Sequence, residues 1–400
     1  MKVLMFGWEF PPMKSGGLGT ACFDLCRGLS RNGVEVVFVV PQLPRGMHSS
    51  VVKLIGADQL VKLSEVNTIL TPYMTSKEYL EKYEMLDSRE KDIYGRTMFA
   101  EVERYSKAAA LIAERERFDV IHCHDWMTYE AGIIARKVSG RPLVVHIHAT
   151  EFDRTGGSPN HEISKREYAG LSAADLVVAN SHFTKSNVLK HYMVDSGKVK
   201  VVHWGIDEAN PAYKLKTASP FRKDRVVLFL GRVTLQKGPD YFVRMAERVL
   251  QFVPDVKFVF AGSGDMFPRI VSEVAEKGIA DKFVFTGFLS GDDVHRAFQM
   301  ADIYVMPSVS EPFGLVALES LKNNTPVLIS RQSGVSEVLS HVFKVDFWDV
   351  DEMSNKIVSF LRYSALEHEL ADNSFREAEK FNLDEPARKC IGCYREVLKW

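Results

Sequence analysis

Short runs rich in Val, Ile, Leu and Phe recur from one end of the chain to the other, and nearly every one is followed by a stretch with helical periodicity. They fall at residues 34–40, 118–123, 142–147, 175–179 and 198–203, then at 225–230, 256–261, 282–286, 302–306 and 326–330. Most are apolar without alternation, as strands buried on both faces must be. Amphipathic stretches such as 96–116, 240–252 and 292–300 lie between them. Strand and helix in alternation imply parallel sheets covered by helices on both sides, an α/β fold. The alternation breaks at 207–222, a polar stretch holding Asn210-Pro211 and Ser219-Pro220, and a strand then starts at Arg225 with no helix before it. That places a boundary between a first domain at 1–206 and a second at 207–380, each of Rossmann-like size and order. Residues 42–95 read as strands and a long loop on the first domain, and a helix at 385–399 fits against either domain. Ligands of open parallel sheets bind at the carboxyl ends of the strands, so two such domains are expected to face each other across a cleft.

Charge narrows the ligand. A net charge of -1 over 400 residues gives no basic excess for nucleic acid or an anionic membrane, so an anionic ligand must be met by a few placed cations. No apolar run approaches the roughly 20 residues of a bilayer span. Residues 1–6 are too short for a secretory signal and are interrupted by Trp8-Glu9, so they read as a buried first strand. The expected location is cytoplasmic. The cysteines at 22, 26, 123, 390 and 393 are then expected to be reduced. Cys390-x-x-Cys393 lies on a terminal helix without the context of a redox or zinc motif.

Four loops carry the candidate chemistry. Lys14-Ser15-Gly16-Gly17-Leu18-Gly19 follows the first strand and opens a helix, where glycines let backbone amides approach an anion. It is neither a dinucleotide fingerprint nor a Walker A loop, and alone it reads equally as a glycine turn. Gly231-Arg232 and Lys237-Gly238 follow the first strand of the second domain, with a guanidinium fork and a mobile ammonium set to flank a diphosphate. Glu311-Pro312-Phe313-Gly314-Leu315 leads into a run ending at Glu319. With Pro312 in the first helical turn, Glu311 and Glu319 are expected to share one helix face, and a charge at 319 within apolar neighbours needs a partner. His146-Ile147-His148 and His122-Cys123-His124-Asp125-Trp126 end two first-domain strands. Their spacing fits no standard metal motif, and no metal is expected. Gly262, Gly264 and Phe288 end further strands, where a base and ribose could sit.

In set and order these motifs resemble the retaining GT-B glycosyltransferases of group 1, in particular the branch containing the glycogen synthases. The resemblance spans essentially the whole chain and is most specific at Glu311-Pro312-Phe313-Gly314-Leu315 with Glu319, similar to that family's paired-glutamate signature. Lys14-x-Gly16-Gly17-Leu18 and His124-Asp125-Trp126 match two further elements, and Phe381-Asn382-Leu383 resembles the start of a terminal helix that returns to the first domain. Two features depart from the pattern: the loop Ala149-Thr150-Glu151-Phe152, and Trp204 where many relatives carry Asn before Gly205.

The resemblance implies a GT-B fold, with residues 381–400 crossing back to the first domain. It also implies transfer of a hexose with retention and no cofactor beyond the nucleotide-sugar donor. Arg232 and Lys237 would hold the diphosphate, Glu311 the sugar hydroxyls, Glu319 the ribose, and His148 would orient the sugar. Lys14, Gly16, Gly17, Leu18, Asp125, Gly262, Gly264, Phe288, Phe313, Gly314 and Leu315 would complete the binding surface. The donor is expected to be ADP- or UDP-glucose and the acceptor an α-glucan. Another small sugar, a sugar phosphate or a cell-surface glycan remains open as acceptor, as does nucleotide-sugar epimerisation on the same fold. A nicotinamide oxidoreductase is disfavoured by the missing dinucleotide fingerprint.

Overall fold

A computed structural model describes residues 1–11, 17–43, 46–59, 76–85, 98–208, 210–214 and 224–399. Lys14 and Gly16, both candidate site residues, lie outside them. The chain divides into two compact units. One comprises Met1–Glu151, Pro159–Gly205 and Leu383–Trp400, the other Phe152–Ser158 and Ile206–Asn382.

The first unit is built on strands β1 (Lys2–Phe6), β2 (Glu35–Val40), β3 (Lys53–Gly56), β4 (Val120–His124), β5 (Leu143–Ile147), β6 (Leu176–Ala179) and β7 (Val199–Val201). They form one sheet in the order β3-β2-β1-β4-β5-β6-β7, and every pairing in it is parallel. Strands β1, β4, β5 and β6 are buried almost end to end, which is why they carry near-continuous apolar runs. The second unit holds β8 (Arg225–Leu230), β9 (Val256–Ala261), β10 (Phe283–Gly287), β11 (Ile303–Met306), β12 (Val327–Ser330) and β13 (Phe343–Val345). Their order is β10-β9-β8-β11-β12-β13, again all parallel. Its core is unusually aromatic, with Phe229 stacked on Phe260 at 4.4 Å and Phe258 on Phe283 at 5.3 Å.

Each strand order reverses direction once, between β1 and β4 in one sheet and between β8 and β11 in the other. At such a switch point the following helices diverge to opposite faces, leaving a crevice outside the carboxyl ends. The loops after β1, β4, β8 and β11 therefore surround the two natural ligand positions, one in each unit.

The C-terminal helix Asp384–Leu398 packs on helix Gly17–Arg31 in the first unit. A glycine makes that contact possible: a Cβ on Gly28 would stand 2.3 Å from the Leu383 carbonyl oxygen and 2.9 Å from the Ala387 Cβ. Gly28→Val is expected to separate the two helices at a cost of about 1–3 kcal/mol, read as a lower urea midpoint. An unchanged midpoint would mean the helix is not held there.

Candidate active site

In the second unit, sheet order brings distant loops together. Because β8 and β11 are neighbours, the loop after β8, carrying Arg232 and Lys237, meets the loop after β11, carrying Glu311. Lys237 Nζ lies 2.5 Å from Glu311 Oε2, and the Ser308 hydroxyl donates to the same oxygen at 3.1 Å. Arg232 donates to Gln236 Oε1 at 3.0 Å, and the Gln236 carbonyl accepts from Val309 N–H at 2.9 Å. Gly238 ends the lysine turn with φ 63°, and its Cα is pressed so close to the Pro307 carbonyl oxygen that a Cβ would lie 2.2 Å away. The turn thus clamps onto the end of β11 and holds both cations at the switch point.

Glu311 does not stand on the helix that the sequence suggests. It forms a parallel bridge with Ser333, donates its N–H to the Gln332 carbonyl at 2.9 Å, and accepts from Gly334 N–H through its own carbonyl at 2.9 Å. The helix starts later, at Leu315, and runs to Lys322. Gly314 precedes it with φ 106°, a conformation that interrupts the helix and leaves Pro312 outside it. Glu311 and Glu319 therefore do not share a helix face. Each carboxylate instead lies near Tyr304 on β11, whose hydroxyl donates to the Leu230 carbonyl at 3.0 Å. Burial, then the charges of Glu311 and Glu319, push that hydroxyl well above its ordinary pKa. Phe313 is buried beneath this loop, while Leu315 is half-buried at the helix start.

Burial pushes the Glu319 carboxyl up to about 7. Unfolded Glu319 releases its proton near 4.5, while the folded group holds it to about 7. The folded state thus binds more protons in that window, so stability falls as pH rises through it. Glu319→Gln removes the titration. Its stability relative to the wild type should rise from pH 5 to pH 8 by on the order of 3 kcal/mol, measured by urea unfolding at both pH values. A flat difference would mean the carboxylate is solvated.

Loops after β8, β9 and β10 interlock beside this group. Gly231 N–H donates to the Ala261 carbonyl at 3.0 Å, Val233 N–H to Ser263 at 2.9 Å, and Gly262 N–H to Gly287 at 2.8 Å. Gly262 and Gly264 both stand where a side chain would strike backbone. Phe288 follows at 74 % exposure, an apolar ring facing solvent. Phe152–Ser158 completes the unit. Ser310 Oγ donates to Asp153 Oδ1 at 2.6 Å, and Gly156 packs against Leu235. This short segment, which follows His148 in the chain, thereby supports both the Glu311 loop and the Lys237 turn.

In the first unit, His148 follows β5 and is almost fully enclosed. Its Nε2 lies 2.9 Å from His124 Nδ1, its N–H donates to Asp125 Oδ1 at 2.9 Å, and its carbonyl accepts from Asn180 Nδ2 at 2.9 Å. Asp125 adopts φ 61°, unusual for a residue with a side chain, at the start of helix Trp126–Ser139. Burial lowers the His148 pKa to about 3, so the imidazole is neutral near pH 7. Trp204 stacks on His146 at 4.8 Å and on His148 at 5.3 Å. Gly17 opens helix Gly17–Arg31 and Leu18 is buried in its first turn. Sequence reasoning did not find Gln236, Ser310, Asp153 or Tyr304. Gln236 lies inside the Arg232–Lys237 loop and could have been suspected, whereas Asp153 and Ser310 are 157 residues apart and carry no local signal.

The model of the family described as Glycosyl transferases group 1 matches residues 214–377, and that of Glycosyltransferase Family 4 matches residues 15–210. An uncharacterised glycosyltransferase of Methanocaldococcus jannaschii is 30% identical over 100% of this chain and 99% of its own length. A glycogen synthase of Mycobacterium tuberculosis is 26% identical, covering 85% of this chain and 80% of that protein. Among solved structures, the Anabaena protein HepE in complex with UDP and glucose superposes with a TM-score of 0.70 at 16% identity, over 99% of this chain and 100% of that one. The two parallel α/β sheets match the GT-B arrangement of two Rossmann-like domains.

Proposed function

Because the chain belongs to the group 1 glycosyltransferases, we propose that it moves glucose from ADP- or UDP-glucose to an α-glucan, retaining the configuration at the anomeric carbon. One observation carries the reading: Lys237 and Glu311 are paired at 2.5 Å beside Arg232, at the switch point of the second sheet. A cation pair with a carboxylate between adjacent loops suits a ligand that is anionic at one end and hydroxylated at the other.

The donor diphosphate lies against Arg232 and Lys237, with the amides around Gly314-Leu315 at the helix start adding positive potential. Glu311 accepts hydrogen bonds from sugar hydroxyls, and Glu319 from the ribose. The bond between the anomeric carbon and the diphosphate oxygen breaks, and its electron pair goes to the leaving group. The cations stabilise that charge as it develops, which is where preorganised charge contributes most. They take the neutralising part a metal plays in other transferases, so the transfer needs no metal. The acceptor oxygen forms the new bond on the same face, and its proton passes to the departing phosphate oxygen. His148, held neutral, orients the sugar as a hydrogen-bonding group and does not act as a cation. The glycines at 262 and 264 and the exposed ring of Phe288 provide a floor for the base. The family resemblance also assigns Lys14, Gly16, Gly17 and Leu18 to substrate binding, and Asp125 positions His148 through its N–H.

Among the described residues no helix is long and apolar enough to cross a membrane. The five free, buried thiols fit a reducing cytoplasm as the place of action. The decisive experiment incubates the protein with ADP- and UDP-sugars, with and without glycogen, small sugars and sugar phosphates, and measures nucleotide diphosphate release. Release that depends on glycogen is expected. Release that depends only on a sugar phosphate would move the acceptor, and acceptor-independent release would support epimerisation or hydrolysis instead.

A further inference from the structure

A buried group of histidines lies behind His148, and the transfer does not use it. His122 and His124 are two residues apart on β4, so they stand on one face of the sheet. His146 on β5 pairs in register with His124 and joins them on that face. All three are fully buried. Each offers a ring nitrogen, and the three nitrogens lie within 4.8 Å of one another. The rings of His122 and His146 are parallel to within 6°, and His124 is tilted 30° from each. Side chains perpendicular to a sheet and parallel to one another bring their tips to a common height.

These tips are unsatisfied. Nε2 of His122, Nε2 of His124 and both ring nitrogens of His146 are buried without a hydrogen-bond partner. A buried polar atom left unpaired costs about 1–3 kcal/mol, so several in one place call for something that binds them. The opposite nitrogens of the first two rings are occupied. His122 Nδ1 lies 2.7 Å from the Tyr394 hydroxyl, and His124 Nδ1 lies 2.9 Å from His148 Nε2. With hydrogen on Nδ1, each of these two rings donates outward and keeps its Nε2 lone pair for another partner. Metal-bound imidazoles are oriented in this way by an outer partner.

We propose that His122, His124 and His146 hold a divalent cation of the borderline kind that imidazole favours, zinc above all, as a structural centre of the first unit. Two histidines at i and i+2 on one strand, with a third on the neighbouring strand, bring three imidazole nitrogens within 4.8 Å of one another, a ligand type that zinc accepts. All three rings are fully buried, which favours the neutral imidazole, the form that can ligate. Cys22 groups with His124 and His148 and not with His122 and His146, so it lies outside the three-nitrogen set. The buried Asp125 carboxylate, joined to His148 N–H, offsets part of the positive charge. Trp204, stacked on His146 at 4.8 Å, closes one side. A cation on His124 Nε2 would fix the hydrogen on His124 Nδ1 and so make His148 Nε2 the acceptor of that pair.

The test uses the full chain, purified without a polyhistidine tag or chelator. Metal content is measured by emission spectroscopy. The protein is then stripped with a strong chelator and titrated with Zn2+, and separately with Co2+ as a spectroscopic probe. Roughly one equivalent of bound metal, visible cobalt bands of nitrogen ligation and a Tm raised by Zn2+ are expected. His122→Gln with His146→Gln should abolish the cobalt bands. Wild-type protein with no stoichiometric metal, no cobalt bands and a Tm indifferent to zinc would overturn the proposal and leave buried water as the partner of these nitrogens, whether or not the variant folds. Equal metal binding in a folded variant would overturn it too, by placing the metal elsewhere.

Discussion

Lys237→Ala is expected to lower kcat by about a hundred- to a thousand-fold, the loss typical when one preorganised donor to a developing anion is removed. The ammonium has two tasks in the proposed reaction. It meets charge that appears on the diphosphate as the sugar bond breaks, and it balances Glu311 at 2.5 Å. Without it, Glu311 keeps the Ser308 hydroxyl as a partner, but its carboxylate, at 6 % exposure, faces uncompensated burial. Lys237→Arg retains charge but not shape, because a planar guanidinium replaces the compact ammonium beside Glu311. Partial rescue by arginine, against none by alanine, would point to charge as the dominant effect. The variants are compared by steady-state release of nucleotide diphosphate, with circular dichroism as a control for folding. A well-folded Lys237→Ala enzyme with wild-type turnover would remove the donor site from this position.

Gly262→Ala should be the most damaging single methyl in the second unit. Gly262 has φ 147°, a region that side chains rarely enter, and a Cβ there would lie 1.9 Å from the Gly231 carbonyl oxygen. That oxygen belongs to backbone clamped between neighbouring loops: Gly231 N–H is bonded to Ala261, and Gly262 N–H to Gly287. The obstacle is not the flexible end of a side chain, so the loops after β8, β9 and β10 must all shift. Strain from the dihedral and from overpacking together amount to about 2–5 kcal/mol. Urea unfolding should show that loss, and nucleotide affinity should fall with it, since the same loops carry Arg232. A variant within 0.5 kcal/mol of the wild type, the range usual for neutral surface changes, would show that these loops are free to move.

Much of this protein could be read along the chain. The inner strands are continuous apolar runs because burial on both faces demands it, and 225–230 and 256–261 match β8 and β9 to the residue. The edge strands β3 and β13 were not individually visible, having four and three residues and only one strand neighbour each. Candidate cations and carboxylates were recognisable as types, since a site for a phosphorylated sugar needs them near strand ends. Their arrangement was not. Glu311 and Glu319 look eight residues apart on one helix, but Gly314 takes φ 106° and the helix begins after it. That choice depends on the bridge from Glu311 to Ser333, a contact across 22 residues of chain. Asp153 supports Ser310 for the same kind of reason.

The histidines make the division plain. Sequence places His122 with His124 and His146 with His148 as two separate pairs. Only the register of β4 against β5, which sets His124 opposite His146, turns them into one buried group. Local sequence determines which segments become strands and helices, because periodicity and burial act within a few residues. Which side chains meet is decided by strand order and register, and these are settled by packing over the whole unit.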